Sequence, residues 1–161
     1  MGAQDEATFG LIPIIQRGWA KKGSHPFVKI SHSNECTNVI AARSSKSFVF
    51  IFSKKKNRKK FVAFLEKLRV RWGKFLLFTD NYKPHKGGIV EKYLQSHKKT
   101  VKVAYFPKYS PEVNPVEQCW KPGRKILSNR VIPSLNAAKY HLRKTFRDKT
   151  AMPKMFEYLR D

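Results

Sequence analysis

Phe75-Leu76-Leu77-Phe78 is an unbroken apolar run lying between two segments with helical patterns. Strict alternation would mark a strand with one wet face. A continuous run predicts a strand buried on both faces, which requires helices above and below it. Upstream, Phe61, Phe64, Leu65 and Leu68 recur at i, i+3, i+4, i+7; downstream, Ile89, Val90, Tyr93 and Leu94 mark a shorter helix, and Val101 to Phe106 another strand. Strand–helix–strand units of this kind are right-handed crossovers between parallel strands. The middle of the chain therefore reads as a parallel α/β unit.

The first third reads differently. Gln4 to Phe9 predicts a strand, Phe27-Val28-Lys29-Ile30 alternates like a half-buried one, and Val39–Ala42 with Ser47–Phe52 form a hairpin around Arg43-Ser44-Ser45-Lys46. After Asn114 the chain turns helical. One helix carries Glu117, the next Leu135, Ala138, Leu142 and Phe146, and a last short one Met152, Met155, Phe156 and Leu159. These stripes face a core. The expected fold class is α/β, a mixed sheet flanked by helices, in one domain spanning residues 1–161.

Charge narrows the partners. The 34 Lys and Arg outweigh 11 Asp and Glu for a formal +23, so the chain repels itself unless a polyanion neutralises it, and nucleic acid is the expected partner. No segment pairs an apolar face with a purely basic one, and no apolar run has the length of a membrane span, so no membrane role is expected. Cys36 and Cys119 lack metal or disulfide spacing and read as buried, reduced thiols. With no secretory signal pattern, the expected location is intracellular, the nucleoid-associated cytoplasm if the source is prokaryotic.

With so few acids, their placement carries information. Asp5 lies in the first strand, Asp80 at the carboxyl end of the buried one, and Glu117 on the first turn of a helix that Asn114 caps and Pro115 opens. Functional sites in open α/β sheets gather at carboxyl ends of strands. Should the two strands be neighbours, the three carboxylates converge, and hard divalent ions such as Mg²⁺ or Mn²⁺ would make that tolerable. Each acid has a plainer reading: exposure near a chain end for Asp5, turn stabilisation for Asp80, and capping for Glu117.

These residues sit in motifs. Asp5-Glu6 is followed by Arg17, Trp19 and Gly23; Asp80-Asn81 by His85-Lys86; and Pro107-Lys108-Tyr109-Ser110-Pro111-Glu112-Val113-Asn114-Pro115-Val116-Glu117-Gln118-Cys119-Trp120 is the most specific. Thirty-six residues separate Asp80 from Glu117. Taken together they resemble the catalytic domain of DDE transposases of the mariner-like superfamily, in its prokaryotic insertion-sequence branch. The resemblance implies a ribonuclease H-like fold that binds two divalent ions, Mg²⁺ or Mn²⁺, through Asp5, Asp80 and Glu117, and that cleaves DNA at transposon ends and transfers the strand to target DNA. Asn81 and His85 would stand beside the site, His85 either at a phosphate or in a structural hydrogen bond, with Lys86 and Lys108 as phosphate contacts or solvated surface. The family also implies a homodimer on DNA.

The departures are specific. Lys108 stands where the family often has Pro. Pro122-Gly123 is expected to kink or end the Glu117 helix, and Gly87-Gly88 to weaken the helix after His85. Only four residues precede Asp5, about half a central strand, and no helix-turn-helix region stands ahead of them. The expected partner list therefore includes a separate upstream helix-turn-helix polypeptide. A DNA-binding remnant without turnover, and a nuclease of the same fold acting outside transposition, are the competing readings. The run Lys54, Lys55, Lys56, Asn57, Arg58, Lys59, Lys60 leads into a helix N-terminus, where cations are unfavourable, so it reads as a phosphate-contact segment or a solvated charge run.

Overall fold

The structure is a computed structural model describing residues 1–29, 32–107 and 114–153. Strand β1 (Gly2–Gly10) is followed by β2 (Cys36–Ser44), β3 (Phe48–Ser53), α1 (Arg58–Trp72), β4 (Phe75–Thr79), a single 3₁₀ turn (Lys83–His85), α2 (Ile89–Ser96), β5 (Val101–Tyr105), α3 (Val116–Leu127) and α4 (Leu135–Arg147). They form one sheet in the order β3-β2-β1-β4-β5, with β1 at its centre. β2 pairs antiparallel with β1 and β3, whereas β4 runs parallel to β1 and β5. The expected antiparallel start and parallel continuation are both present.

Alternation along β1 splits the molecule into two cores. Ala3, Ala7 and Phe9 join Val39 and Ala41 of β2 beneath Trp120 of α3 and Leu142 and Phe146 of α4. The opposite face carries Ile40, Ala42 and Leu77 under Phe61, Phe64, Leu65 and Leu68 of α1 and Val90 of α2. Odd-numbered β1 residues thus face α3, and even-numbered ones face α1. Among the described residues no helix is long and apolar enough to cross a membrane.

Several expectations need correction. Phe27-Val28-Lys29 is not a strand, and Phe27 is 84% exposed; Ile30 lies outside the described residues. β2 already takes that edge of β1 out to Gly10↔Cys36, and the Leu11 amide bonds to the Glu35 carbonyl, so the segment holding Phe27 loops out beyond the end of this strand pair. β4 is fully buried only at Phe75, Leu77 and Thr79; Leu76 and Phe78 are half-buried. Cys36 is exposed, whereas Cys119 is buried.

α3 continues through Pro122 and Gly123 to Leu127. Pro122 removes one helical donor, but the carbonyl left over belongs to the exposed Gln118, which water can serve. Gly123 lies where α4 crosses: a Cβ there would stand 2.8 Å from Phe146 Cζ. Gly87 and Gly88, both at positive φ (73° and 54°), form the turn ahead of α2, with Gly88 as its cap. Met152 is buried, but Met155, Phe156 and Leu159 of the predicted last helix lie outside the described residues.

Candidate active site

The parallel register of Gly2↔Leu77 and Ala3↔Phe78, continued by two residues, sets Asp5 level with Asp80 at the end of β4. α3 brings the third acid. Asn114 Oδ1 accepts the Val116 N–H at 3.2 Å while its Nδ2 donates to the Gln4 carbonyl at 3.1 Å, so one buried side chain both caps α3 and ties it to β1. Pro115 already has helical dihedrals. No bond runs from Glu117 to the Asn114 amide among the described residues. Trp120, one turn beyond Glu117, donates its Nε1–H to Asp5 Oδ2 at 2.7 Å, so that face of α3 looks onto Asp5.

Electrostatics register the proximity. Burial pushes the Asp5 carboxyl up to about 6; the Trp120 bond opposes this, and the charges of Glu117 and Asp80 add to it. Asp80 takes another course. Burial raises it, but bonds from His85 Nδ1 at 2.8 Å and from the Tyr82 amide at 3.1 Å outweigh burial and hold it below the usual carboxylate range. The predicted turn bond of Asp80 is therefore present, at the end of β4.

Among the described residues no three His, Cys, Asp or Glu side chains close to metal-coordinating separation. Asp5 is turned to Trp120 and Asp80 to His85, so the acids share a field while each holds a separate donor. The donor set still suits a hard divalent cation: all are carboxylate oxygens, and Asp5 has the raised proton affinity that a nearby positive charge would relieve.

His85 is 1% exposed and packs at a tilt against Phe61, with ring centroids 4.2 Å apart. Its Nδ1 also lies 3.0 Å from Thr79 Oγ1, which donates in turn to Gln4 Oε1. Its Nε2 meets Glu6 Oε1 at 3.3 Å. Burial lowers the ring's proton affinity, but bonds to Asp80 and Glu6 reverse this and push it up to about 9. Asn81 donates to the Phe106 carbonyl at 2.9 Å and accepts from Lys86 Nζ at 2.6 Å, locking the β4 end to β5. Lys86 also sits 4.4 Å over the Tyr105 ring.

Sequence reasoning assigned no role to Trp120, Glu6, Gln4 or Thr79. Alternation offered one signal: Glu6, next to Asp5, must point into the opposite, apolar core, where an acid requires a partner.

The basic run reaches the site. Asn57 caps α1 by accepting the Lys60 N–H at 3.0 Å, which leaves Arg58, Lys59 and Lys60 in a first turn without acids. Lys56 is near enough for its charge to lower Asp80, and Arg58 Nε donates to the Lys86 carbonyl at 2.8 Å. Lys54, Lys55, Lys59 and Lys60 are exposed. Lys108 lies outside the described residues.

The family model for the DDE superfamily endonuclease matches residues 2–139. Comparison with curated protein sequences gives no match. Among solved structures, a mariner Mos1 paired-end complex with Mg superposes with a TM-score of 0.72 at 15% identity, over 95% of this chain and 50% of that one. The Mos1 paired-end complex with left transposon end gives 0.71 at 15%, over 92% and 48%. The catalytic domain of Mos1 mariner transposase gives 0.66 at 13%, over 92% and 70%. The sheet order and its flanking helices are thus those of the ribonuclease H-like fold. The chain spans about half the length of the full transposase chains it matches.

Proposed function

Because the chain belongs to the DDE superfamily of endonucleases, we propose that it is the catalytic domain of a mariner-like DNA transposase, which cleaves DNA at transposon ends and joins the freed strand to target DNA. The observation that carries this reading is the placement of Asp5 level with Asp80 on neighbouring parallel strands, with α3 presenting Glu117 one turn from the Trp120–Asp5 bond.

Asp5, Asp80 and Glu117 would hold two divalent ions, Mg²⁺ or Mn²⁺, whose chemistry is to activate an attacking water or DNA 3′-hydroxyl and to neutralise charge at the leaving oxygen. The protein's own part is orientation. Trp120 and Asn114 hold the Asp5 and Glu117 elements together, the Tyr82 amide and His85 fix Asp80, and the exposed lysines flanking α1 draw the phosphate backbone towards Asp80. The DNA partner, a homodimer on that DNA and a separate upstream helix-turn-helix polypeptide belong to the same proposal.

The test is a nicking and strand-transfer assay on DNA with Mn²⁺ or Mg²⁺, comparing wild type with Asp80→Asn, alone and with an upstream DNA-binding polypeptide. Metal-dependent nicking that the variant loses supports the reading. DNA binding without cleavage under every condition would instead identify a binding remnant.

A further inference from the structure

We propose that Glu6 is a positioning residue: acting through His85, it fixes the carboxylate of Asp80 for metal binding. This inference rests on the metal-binding reading of Asp80 given above.

Glu6 lies on the central strand with its side chain 7% exposed, on the face packed by α1, away from Asp5. A carboxylate buried there costs several kcal/mol unless its partners compensate. Among the described residues Oε1 alone has a partner, His85 Nε2 at 3.3 Å, and the buried Oε2 has none. Pure stability would favour an apolar side chain at this position, as in the core on the same face, where Ile40, Phe61 and Leu65 are fully buried.

The imidazole converts that buried charge into a direction. Phe61 packs against the ring at a tilt of 36°, and Tyr82 meets it edge-on with centroids 5.5 Å apart, so packing fixes the ring plane. Within that plane Glu6 holds Nε2, which aims Nδ1 at Asp80 Oδ1 at 2.8 Å. Apart from this bond Asp80 is held by the Tyr82 amide at 3.1 Å, with its side chain 55% exposed at a strand end. The His85 bond and the Tyr82 amide both fall on Oδ1, leaving the second oxygen available to a cation. Partners of metal ligands that fix a ligand's orientation typically change metal affinity 10- to 100-fold when removed.

The test is Mn²⁺ titration, read by the spin-resonance signal of free Mn²⁺, on wild type, Glu6→Leu, Glu6→Ala, Glu6→Gln and Asp80→Asn, with folding checked by circular dichroism. Leu fills the space and Ala admits water; both lack the acceptor, and each folded one should bind Mn²⁺ roughly 10- to 100-fold more weakly. Gln retains an oxygen for Nε2 and should stay within about threefold of wild type, a rescue that a role in charge balance alone would not give. Wild-type affinity in Glu6→Leu or Glu6→Ala, or a tenfold loss in a folded Glu6→Gln, overturns the positioning role. Loss in Asp80→Asn alone would leave the metal site standing without Glu6. Equal uptake by Asp80→Asn and wild type, or none by wild type, removes the metal-site reading and this inference with it.

Discussion

Trp120 Nε1 donates to Asp5 Oδ2 at 2.7 Å, and this bond joins α3 to the central strand at the most perturbed carboxylate of the candidate site. The same indole meets Phe9, Phe48 and Phe146 edge-on, with centroids 6.0 to 6.2 Å away. One side chain thus packs the core and directs the site. Trp120→Phe keeps an aromatic ring but deletes the donor, leaving a buried acceptor short of a bond, at a cost of about 1–3 kcal/mol. The variant should melt at lower temperature, and the Asp5 carboxyl should move up from about 6, followed by carbon NMR titration. An unchanged Asp5 titration would contradict this assignment.

Asp5 itself should destabilise the metal-free protein at neutral pH. Its folded carboxyl, pushed from 3.8 to about 6, binds a proton that the unfolded chain releases, so stability falls as pH rises between those values. Fully ionised, Asp5 costs at most about 3 kcal/mol. Asp5→Asn keeps an oxygen for Trp120 and should be the more stable protein at pH 7 in a chelator, with the difference vanishing towards pH 4. His85 runs on a separate window. Pushed from 6.5 to about 9, it contributes stability that is complete below 6.5 and lost as pH rises through about 9. Urea unfolding from pH 4 to 10 resolves both.

The parts of this fold legible in the sequence were those written as local pattern. The apolar run at Phe75, the Phe61 stripe and the hairpin around Ser44 each specify their element without knowledge of neighbours, and Asp80 follows from its place at a strand end. What escaped were relations between elements. Nothing local tells that the Asn114 side chain will reach the Gln4 carbonyl, 110 positions away, or that Glu6 will meet His85 across the sheet. Pro122-Gly123 shows the limit most sharply. Helix propensity reads the pair as a break, yet tertiary packing outweighs propensity where α4 crosses.

Gly123→Ala follows from that crossing. An isolated helix would gain about 1 kcal/mol from the change. Here the new methyl group would lie 2.8 Å from Phe146 Cζ, 2.9 Å from Cε1 and 3.1 Å from Leu142 Cδ2. Phe146 cannot swing clear, because its ring is held against Phe9, Phe48, Phe50 and Trp120. Overpacking of this kind costs typically 1–3 kcal/mol. Thermal unfolding should show a lower midpoint for the variant; a higher one would mean that α3 and α4 pack less closely than described.

On the proposed function, the basic run serves DNA and not the fold. Lys59 and Lys60 stand in the first turn of α1, where the helix dipole disfavours cations, and Lys54 and Lys55 precede it, all four exposed. Fold stability gives no reason to keep them; phosphate binding does. Replacing the four with Gln should therefore raise or preserve the melting temperature, by a few tenths to about 1 kcal/mol for each first-turn lysine. DNA binding should weaken. The slope of log affinity against log salt should shrink by about 0.9 for every lysine that contacts a phosphate. Fluorescence anisotropy across 50 to 300 mM salt measures that slope, and an unchanged slope would assign the run to solvated surface.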